Sequence, residues 1–488
     1  MVSDSSGLAP DCAIVALEET FSLQPRQHGR TVSFPAPRHA KSIHDCPAEV
    51  LVMFFKFIYT KETLMMWDRL EWQKIDVSSP SLFPYTIATV CSFWRDIMSS
   101  VPQFWTRIVT FVDSPTIPQS VIASQLLWSR DLPLDVIVTR RNLDHPVESR
   151  HERKQVMSLM ETVINPHIDR LQNLDFSVGF SSSLPSFPDD FHGTATKLRR
   201  LQLECREDDG GSTPSRYQCE TVPSTESQYP ALLELELDGR NYCSGCRRGV
   251  PWATKVPNVH ALTISHYKPR AIESFPAVTF MFCLTFMQKL NILHINDVAL
   301  SPGTHHLVPH AWLRLGLLHL SDLPDFRPID EMLQVLQDAI EVKITRCAIG
   351  SPRSLGYDGP LELDEIDADQ DLVPLLRAWD GYNLRIRNCP CFNDTVLDMM
   401  GTKNEDGEYV CASGAYELDI SNCPNFSVAA LKRLVAARLD APPHTGQFDW
   451  ICVGGDVPVL SVEDRLWFNE RVPDFRYYEE FLSASTEV

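Results

Sequence analysis

Two cysteines, Cys243 and Cys246, have the Cys-x-x-Cys spacing that supplies half of a structural zinc site. A complete site needs four ligands, and no second pair follows, although Cys219 and His260 are within reach in the sequence. The pattern leaves two interpretations, a zinc site and a loop with two free thiols. The incomplete ligand set favours the loop, so we expect no bound metal.

Other patterns that could carry chemistry are weak or missing. His305, His306 and His310 form a short cluster, but Pro309 interrupts any helix that would align them, which favours a solvated loop. We find no phosphate-binding loop, no glycine fingerprint after a strand, no nucleophile elbow and no zinc-protease helix. No two carboxylates stand out as an acid–base pair. We therefore expect a protein that is not an enzyme and binds no cofactor.

The charge balance restricts the class of partner. The 488 residues include 44 Lys and Arg against 64 Asp and Glu, a formal net charge of −20. Such a surface repels nucleic acid and anionic membranes, so we expect neither as a partner. Residues 361–488 alone carry 24 acidic and 10 basic side chains. This excess either selects a basic protein partner or, as we favour, keeps the chain soluble.

No segment has the composition of a targeting or membrane signal. Residues 1–24 lack the basic start and apolar core of a secretory signal, and no run reaches the ~18 apolar residues of a membrane helix. The 14 Cys are spread without the regular spacing of a secreted disulfide scaffold. We therefore expect reduced thiols and a cytoplasmic or nuclear location.

Two short apolar helices are expected after a disordered tail at residues 1–42. In the first helix Asp45 is a candidate cap and Pro47 suits the first turn. Apolar residues then recur at helical steps: Val50, Leu51, Phe54, Phe55 and Ile58. The second helix, 87–98, is expected to place one more apolar set on a single face: Val90, Phe93, Trp94 and Ile97. So small a region buries little apolar area alone, which indicates an interface.

The rest of the chain repeats an apolar-x-x-apolar-x-apolar pattern. Copies begin at Leu171, Leu198, Leu232, Val259, Leu290, Leu315, Ala339, Gly381 and Ala415. In the last three a cysteine follows, Cys347, Cys389 or Cys423, where leucine-rich repeats carry Asn or Cys. Alternate strand residues face opposite ways, so the apolar pair is buried only when repeats stack. The pattern predicts an α/β solenoid with a parallel β-sheet, with buried cysteines as apolar fillers.

Two intervals exceed the repeat length. Residues 204–228 are polar and are expected to form a mobile loop. Residues 349–371 end in a strongly acidic strip that begins at Glu362. Because so many acidic side chains are costly to bury, the strip is interpreted as a solvated loop or a partner contact.

The segment 43–107 resembles an F-box. The resemblance rests on Pro47-Ala48-Glu49-Val50-Leu51, on Cys91-Ser92-Phe93-Trp94-Arg95, and on the turn from Pro102 to Trp105. The remainder is similar to fungal F-box-like proteins, in a Trp128-Ser129-Arg130 helix before a strand and in the segment 453–468. The sequence departs from the F-box pattern at Cys46, where Leu is usual, and in a long spacer with two tryptophans.

The resemblance implies a substrate-recognition subunit of a Skp/cullin/F-box ubiquitin ligase. The implied adaptor contacts are Pro47, Val50, Leu51, Phe54, Val90, Phe93, Trp94 and Trp105, each of which is alternatively a core position. A solenoid at 128–455 would bind an unknown protein substrate, and 456–488 would form a C-terminal helical tail. Candidate substrate contacts flank the strand apolars: Glu234, Glu236, Arg385, Arg387, Glu417 and Asp419. The rival interpretation is a leucine-rich-repeat scaffold with a degenerate F-box that never enters a ligase.

Overall fold

The computed structural model describes residues 43, 46–66, 83–113, 117–142, 148–210, 228–247, 252–269, 275–302, 313–350, 355, 357–439 and 446–478. These residues divide into two compact units. The first holds the described residues up to 179 together with 183–185 and 191–200. The second holds 180–182, 186–190 and the described residues from 201 onward. The predicted tail at 1–42 lies outside the described residues.

The first unit begins with helices and continues into parallel strands. Its helices are α1 Ala48–Met66, α2 Tyr85–Ala88, α3 Ser92–Ser99, α4 Gln119–Trp128 and α5 Ser149–Leu159, with a 3-10 turn at Pro102–Trp105. Its strands are β1 Arg107–Phe111, β2 Leu134–Thr139 and β3 Leu171–Phe180. β1 pairs with β2 and β2 with β3, both in parallel. Parallel strands therefore begin at β1, ahead of the predicted solenoid start at residue 128.

The second unit alternates strands with outer helices. Its strands are β4 Arg200–Glu207, β5 Glu234–Asp238, β6 Ala261–Tyr267, β7 Ile292–Val298, β8 Leu313–Ser321, β9 Leu336–Thr345, β10 Leu361–Asp364, β11 Asn383–Arg387, β12 Glu417–Ser421, β13 Trp450–Gly454 and β14 Asp474–Tyr478. Its helices are α6 Gly239–Arg247, α7 Ala277–Leu284, α8 Phe326–Val335, α9 Val373–Arg377, α10 Asp394–Gly401, α11 Val428–Arg438 and α12 Val462–Asn469.

The register of the strands places the apolar pair of each repeat beside the next. Leu235 pairs with Leu262, Leu262 with Leu293, and the alignment continues to Phe475 in β14. From β5 to β14 each strand pairs in parallel with its successor in the chain. The predicted fold class, an α/β solenoid with a parallel β-sheet, is confirmed.

A left-handed residue lies at the end of each strand from β6 to β13. The residues are His266, Asp297, Asp322, Arg346, Glu365, Asn388, Asn422 and Gly455, with φ between 48° and 75°. Side-chain-bearing residues reach this conformation at a cost of about 1 kcal/mol each. Contacts along the row offset the cost: Arg346 Nη2 lies 2.7 Å from Asp322 Oδ2, and Asn422 Nδ2 donates to Asn388 Oδ1 at 3.0 Å. The turn is therefore a shared structure of neighbouring repeats.

The three repeat cysteines do more than fill space. Each is buried, and its thiol donates to a carbonyl of the preceding strand: Cys347 to Leu320, Cys389 to Leu363, and Cys423 to Ile386, at 3.5–3.6 Å. Burial raises the pKa of Cys347 to about 11 and that of Cys423 to about 12. Each thiol therefore links its own repeat to the preceding one by a hydrogen bond.

The interval 349–371, which ends in the acidic strip, is not a loop throughout. It contains β10, whose Leu361 and Leu363 continue the buried apolar rows. The prediction failed because Glu362 and Asp364 suggested solvent, whereas both carboxylates are paired with Lys343 of the preceding strand. The interval from β9 to β11 therefore holds one repeat more than the sequence pattern indicated.

Two further predicted intervals need correction. Asp208 and Asp209 do not belong to a mobile loop, because both accept hydrogen bonds from Ser181 or Ser182; residues 211–227 lie outside the described residues. The C-terminal segment 456–488 is not simply helical. It holds α12 followed by β14, which extends the sheet by one more repeat.

The predicted second N-terminal helix is divided. α2 ends at Ala88, and α3 starts afresh at Ser92, with the Cys91 sulfur accepting from the Trp94 N–H at 3.4 Å. The break rotates the two parts, so Val90 is exposed while Trp94 and Ile97 are buried. The four residues predicted for one face therefore lie on different faces.

Arg438 is a fully buried cation in the last turn of α11. Its guanidinium donates to five backbone carbonyls, at 2.8–3.3 Å: Met400, Cys411, Ala412, Ala415 and Gly446. It also stacks over the rings of Tyr409 and Phe448. Burial lowers the pKa of Arg438 to about 10. This one side chain thus supplies the hydrogen bonds for backbone carbonyls in the irregular connections of two repeats.

We expect Arg438→Met to lower the free energy of unfolding by about 3–5 kcal/mol, because it leaves several buried carbonyls without donors. Urea unfolding followed by circular dichroism measures the change. The control is Arg433→Met on the same helix, which removes an exposed pair with Asp398 and should change stability little. Equal losses in the two variants would contradict this role for Arg438.

Candidate functional site

The N-terminal helices pack around an aromatic core. Phe55 of α1 meets Trp94 of α3 edge to face, with ring centroids 5.1 Å apart. Trp105 Nε1 donates to the Met98 carbonyl at 2.9 Å, and its ring lies 4.4 Å from that of Trp128. Leu51 is buried in the same core. These contacts fix the orientation of α1 relative to α3.

The opposite side of α1 carries an apolar row, which we call the outer row. It consists of Val50, Met53, Phe54 and Phe57, whose exposed fractions are 46%, 66%, 51% and 69%. The spacing i, i+3, i+4, i+7 places all four on one face of the helix. Val90 and Phe93 are exposed as well. So much exposed apolar surface on one helix is characteristic of a binding face.

The implied adaptor residues separate into two groups. Pro47, Val50, Phe54, Val90 and Phe93 are exposed, whereas Leu51, Trp94 and Trp105 are buried.

The buried side chains belong to the core that holds the helices in place, and only the exposed side chains are available to contact a partner. Sequence reasoning missed Met53 and Phe57, although their helical spacing from Val50 and Phe54 could have identified them. Because α1 carries apolar residues around most of its circumference, its pattern alone does not distinguish the inner face from the outer one.

The second candidate surface is the polar face of the sheet in the second unit. Its central positions lie between the two core-facing apolar or aromatic residues of each strand from β5 to β14, and we call them the middle row. In order they are Glu236, Thr263, His294, His319, Lys343, Glu362, Arg385, Asp419, Cys452 and Arg476. Side chains one strand apart are about 4.8 Å from each other, close enough to interact.

Ion pairs connect the charged part of the middle row, centred on Glu362. The buried Glu362 carboxylate lies 2.8 Å from Lys343 Nζ, 3.6 Å from Arg387 Nη1 and 3.8 Å from Arg385 Nη1. Arg387 also lies 3.3 Å from Asp419. Burial opposes the charge of Arg387, but Glu362 and Asp419 outweigh it and raise the pKa of its guanidinium. Opposite charges thus alternate from β9 to β12.

The predicted substrate contacts are only partly brought together. Arg385, Arg387 and Asp419 belong to this ion-pair network, and Arg385 also contacts Glu341 at 3.1 Å. Glu417 accepts a hydrogen bond from Asn383.

Glu234 and Glu236 lie on β5, six strand positions from β11, or about 29 Å along the sheet. One small ligand therefore does not reach both sets. Sequence reasoning missed Glu341, Lys343 and Glu362, of which the latter two occupy the same repeat position as Arg385.

Two histidines form the neutral part of the middle row. The His294 and His319 rings lie 5.2 Å apart, edge to face, and His319 Nε2 is 3.1 Å from Thr345 Oγ1. Burial, reinforced by His294 and Lys343, lowers the pKa of His319 to about 4. Burial also lowers the pKa of His294. Both rings are therefore uncharged at neutral pH and offer hydrogen bonds without charge.

Some buried polar atoms of this face have no hydrogen-bond partner. Within the described ranges these are Ser265 Oγ, His294 Nε2, Asn383 Oδ1 and Arg387 Nε. These atoms lie on strands β6, β7 and β11 of the polar face. The atoms include both donors and acceptors.

An acidic cluster lies at one end of the same face. Asp208 accepts from the Lys268 N–H at 2.7 Å and from Ser181 Oγ at 3.1 Å, and it pairs with Arg240. Asp238 is fully buried and accepts from Asn241 Nδ2 at 2.6 Å. Burial raises the pKa of Asp238 to about 7, and Asp208 adds to the rise. The cluster therefore joins β4, β5 and β6 at a site that titrates.

The cysteines considered for zinc lie on a helix. Cys243 and Cys246 belong to α6, whereas Cys219 and the histidines from 305 to 310 lie outside the described residues. In the part of the chain that the structure describes, no three His, Cys, Asp or Glu side chains are placed to hold a metal ion. Among the described helices, none is long and apolar enough to cross a bilayer.

Comparisons with known proteins give little further information. No protein-family model matches the sequence, and no curated relative is found. One chain in a crystal structure of the Rad7 and Elc1 complex in yeast is similar over 70% of this chain and 86% of that one, at 12% sequence identity and a TM-score of 0.26. A likeness this low carries no argument about function.

We expect Glu362→Gln to lower the free energy of unfolding by about 1–3 kcal/mol, because three cations around Glu362 lose their shared anion. Thermal and urea unfolding measure the change. The matched control is Glu365→Gln, which removes an exposed partner of Arg346 and should cost less than about 0.5 kcal/mol. A Glu362 variant as stable as the control would show that the network contributes nothing.

Asp238 should make stability depend on pH. Its pKa is raised from 3.8 to about 7 in the folded state, so the folded protein holds a proton that the unfolded chain has released. The resulting stabilisation is complete below pH 3.8 and is lost as pH rises through about 7. Relative to wild type, Asp238→Asn should therefore gain at least about 1 kcal/mol between pH 5 and pH 8. Parallel denaturation curves at the two pH values test this, and an unchanged difference would refute it.

Proposed function

We propose that the chain is the substrate-recognition subunit of a Skp/cullin/F-box-type ubiquitin ligase. The N-terminal helices dock the Skp-type adaptor, and the polar face of the repeat sheet binds a protein substrate. Ubiquitin transfer occurs on other subunits, so the chain itself is not an enzyme and needs no cofactor. The observation that carries the proposal is the outer row on α1.

The outer row has the form of a helix that binds in a groove. Four apolar side chains at i, i+3, i+4 and i+7 supply the anchors of that binding mode, and aromatic anchors dominate such interfaces. Phe54 and Phe57 are the aromatic members, both more than half exposed. Val90 and Phe93 supply further apolar contacts beside the row. Below it, the Phe55–Trp94 contact holds α1 rigidly, which reduces the entropy lost on binding.

The strand face suits a protein substrate more than a small molecule. Its polar positions extend over ten strands, from Glu236 in β5 to Arg476 in β14. The charged members are already paired, so a substrate has to supply matching groups of its own, which favours specificity over affinity. The unpartnered Ser265 Oγ and His294 Nε2 offer hydrogen bonds without displacing an ion pair. We therefore keep the strand face, with Arg385 and Asp419 among its contacts, as the proposed substrate surface.

The adaptor contact can be tested with the full chain and a purified Skp-type adaptor by isothermal titration calorimetry. We expect wild type to bind and the double variant Phe54→Asp/Phe57→Asp to lose at least about 100-fold in affinity, because charges replace the central anchors. Leu51→Asp and Trp94→Asp are unsuitable, since both side chains are buried and the variants would unfold the core.

The matched control is Phe282→Asp on α7, whose exposed fraction of 47% is close to that of Phe54. It should bind the adaptor as wild type does. Circular dichroism confirms that each variant is folded. If wild type never binds the adaptor, the scaffold interpretation replaces the ligase. If the control loses affinity equally, the contact does not depend on the outer row.

A further inference from the structure

The last described strand, β14, presents one edge that no described strand pairs with. Its other edge pairs in parallel with β13. The Asp474 N–H donates to a carbonyl just before β13, and the Tyr478 carbonyl accepts from an N–H just after it, so both residues point their backbone groups toward β13. Alternate residues of a strand point these groups to opposite sides, so those of Phe475 and Tyr477 point outward. Such an edge is a template for another strand.

The helix beside this edge, α12, carries an exposed apolar face. Val462 and Leu466 lie one helical turn apart and are 73% and 58% exposed. Asp464 and Trp467 contact Lys432 of α11 instead. At about 100° per residue, Val462 and Leu466 lie on the side of α12 away from α11, where a further repeat would pack. Terminal repeats of solenoids usually present a polar face there, so an apolar one indicates an interface.

The polar face of β14 carries one charge of each sign. Asp474 and Arg476 point to the same side of the sheet because they lie two residues apart on the strand. Both are half-exposed, and they pair with each other at 2.8 Å. An exposed pair of this kind contributes little, so both groups can exchange partners at low cost. A strand that runs in the opposite direction with the same two residues matches both charges.

We propose that β14 pairs in antiparallel fashion with β14 of a second copy of this chain, around a two-fold axis at Phe475. In this register Phe475 lies opposite Phe475 of the second copy, and their outward backbone groups form two hydrogen bonds. Asp474 of each copy lies opposite Arg476 of the other, so the charges match on both sides of the axis. The next register is centred at Arg476. It places two guanidinium groups opposite each other and is therefore disfavoured.

The same axis brings the two α12 helices together. α12 packs on β14 through Phe468, whose ring stacks on that of Phe475 with centroids 4.7 Å apart. A two-fold axis between antiparallel strands is perpendicular to the sheet, so both helices lie on the same side of the joined sheet. Val462 and Leu466 of the two copies then face each other across the axis. Their contact removes apolar surface from water, and the interface uses the same patch on both copies.

Sedimentation velocity of the full chain over a wide concentration range tests the proposal. The formal net charge of −20 opposes association, so the buffer needs an ionic strength of about 0.15 M, where a Debye length of about 8 Å restricts the repulsion to nearby charges. We expect wild type to show a reversible equilibrium between monomer and dimer. Leu466→Asp should raise the dimer Kd at least about tenfold, because it places a charge in the apolar contact. The inference does not depend on adaptor binding.

Charge exchange tests the register. Arg476→Asp and Asp474→Arg each place like charges opposite each other, and each should raise the dimer Kd about tenfold. An equimolar mixture of the two variants should associate as tightly as wild type, because one copy then carries two acidic groups and the other two basic groups. The control is Arg327→Asp, which removes an exposed pair with Asp325 of the same two-residue spacing and should leave the Kd unchanged.

A wild-type chain that remains monomeric at every concentration would overturn the proposal and leave the end of the sheet to a different partner. A mixture that associates no better than either charge variant alone would overturn it as well. A dimer that is weakened by Arg476→Asp but not by Asp474→Arg would refute the axis at Phe475. Circular dichroism confirms that each variant is folded, and the wild-type measurement needs no substitution.

Discussion

The stacking of repeats depends on one backbone hydrogen bond, which joins each left-handed turn to the neighbouring strand. The N–H of the turn residue donates to the last carbonyl of the next strand: Asp322 to Thr345, Arg346 to Asp364, Glu365 to Arg387, Asn388 to Ser421, and Asn422 to Gly454, at 2.9–3.1 Å. This bond fixes where each strand ends relative to its neighbour. The apolar pairs then come into line, and a slip of one residue would turn them toward solvent.

Both candidate surfaces follow from the way the core is filled. In the sheet, burial of Leu361 and Leu363 forces Glu362 onto the polar face, where Lys343 and Arg387 neutralise it. On α1, burial of Leu51 and Phe55 forces Phe54 and Phe57 outward. The charged side chains of the sheet face already pair with one another, whereas the apolar side chains of the α1 face are exposed to solvent. The α1 face is therefore the one that gains most free energy by being covered.

The fold class could be predicted from the sequence because its signal is local. Three apolar positions per repeat recur within each strand, as in Leu232, Leu235 and Leu237, whatever their neighbours are. β10 was missed because the neutralising groups for Glu362 come from other repeats. The sequence could not distinguish the buried face of α1 from its exposed face, because Leu51 and Phe54 are both apolar and differ only in whether other side chains pack on them.

The left-handed turns separate the inner sheet from the outer connections. The chain takes 19 residues to pass from Val342 to its partner Leu361, but 34 to pass from Leu384 to Leu418, and both steps end in the same register. The register of strand pairing is thus independent of the length of the connection between two strands. Evolution can lengthen, shorten or decorate those outer excursions one at a time, and an engineer can insert a reporter peptide there without disturbing the inner surface.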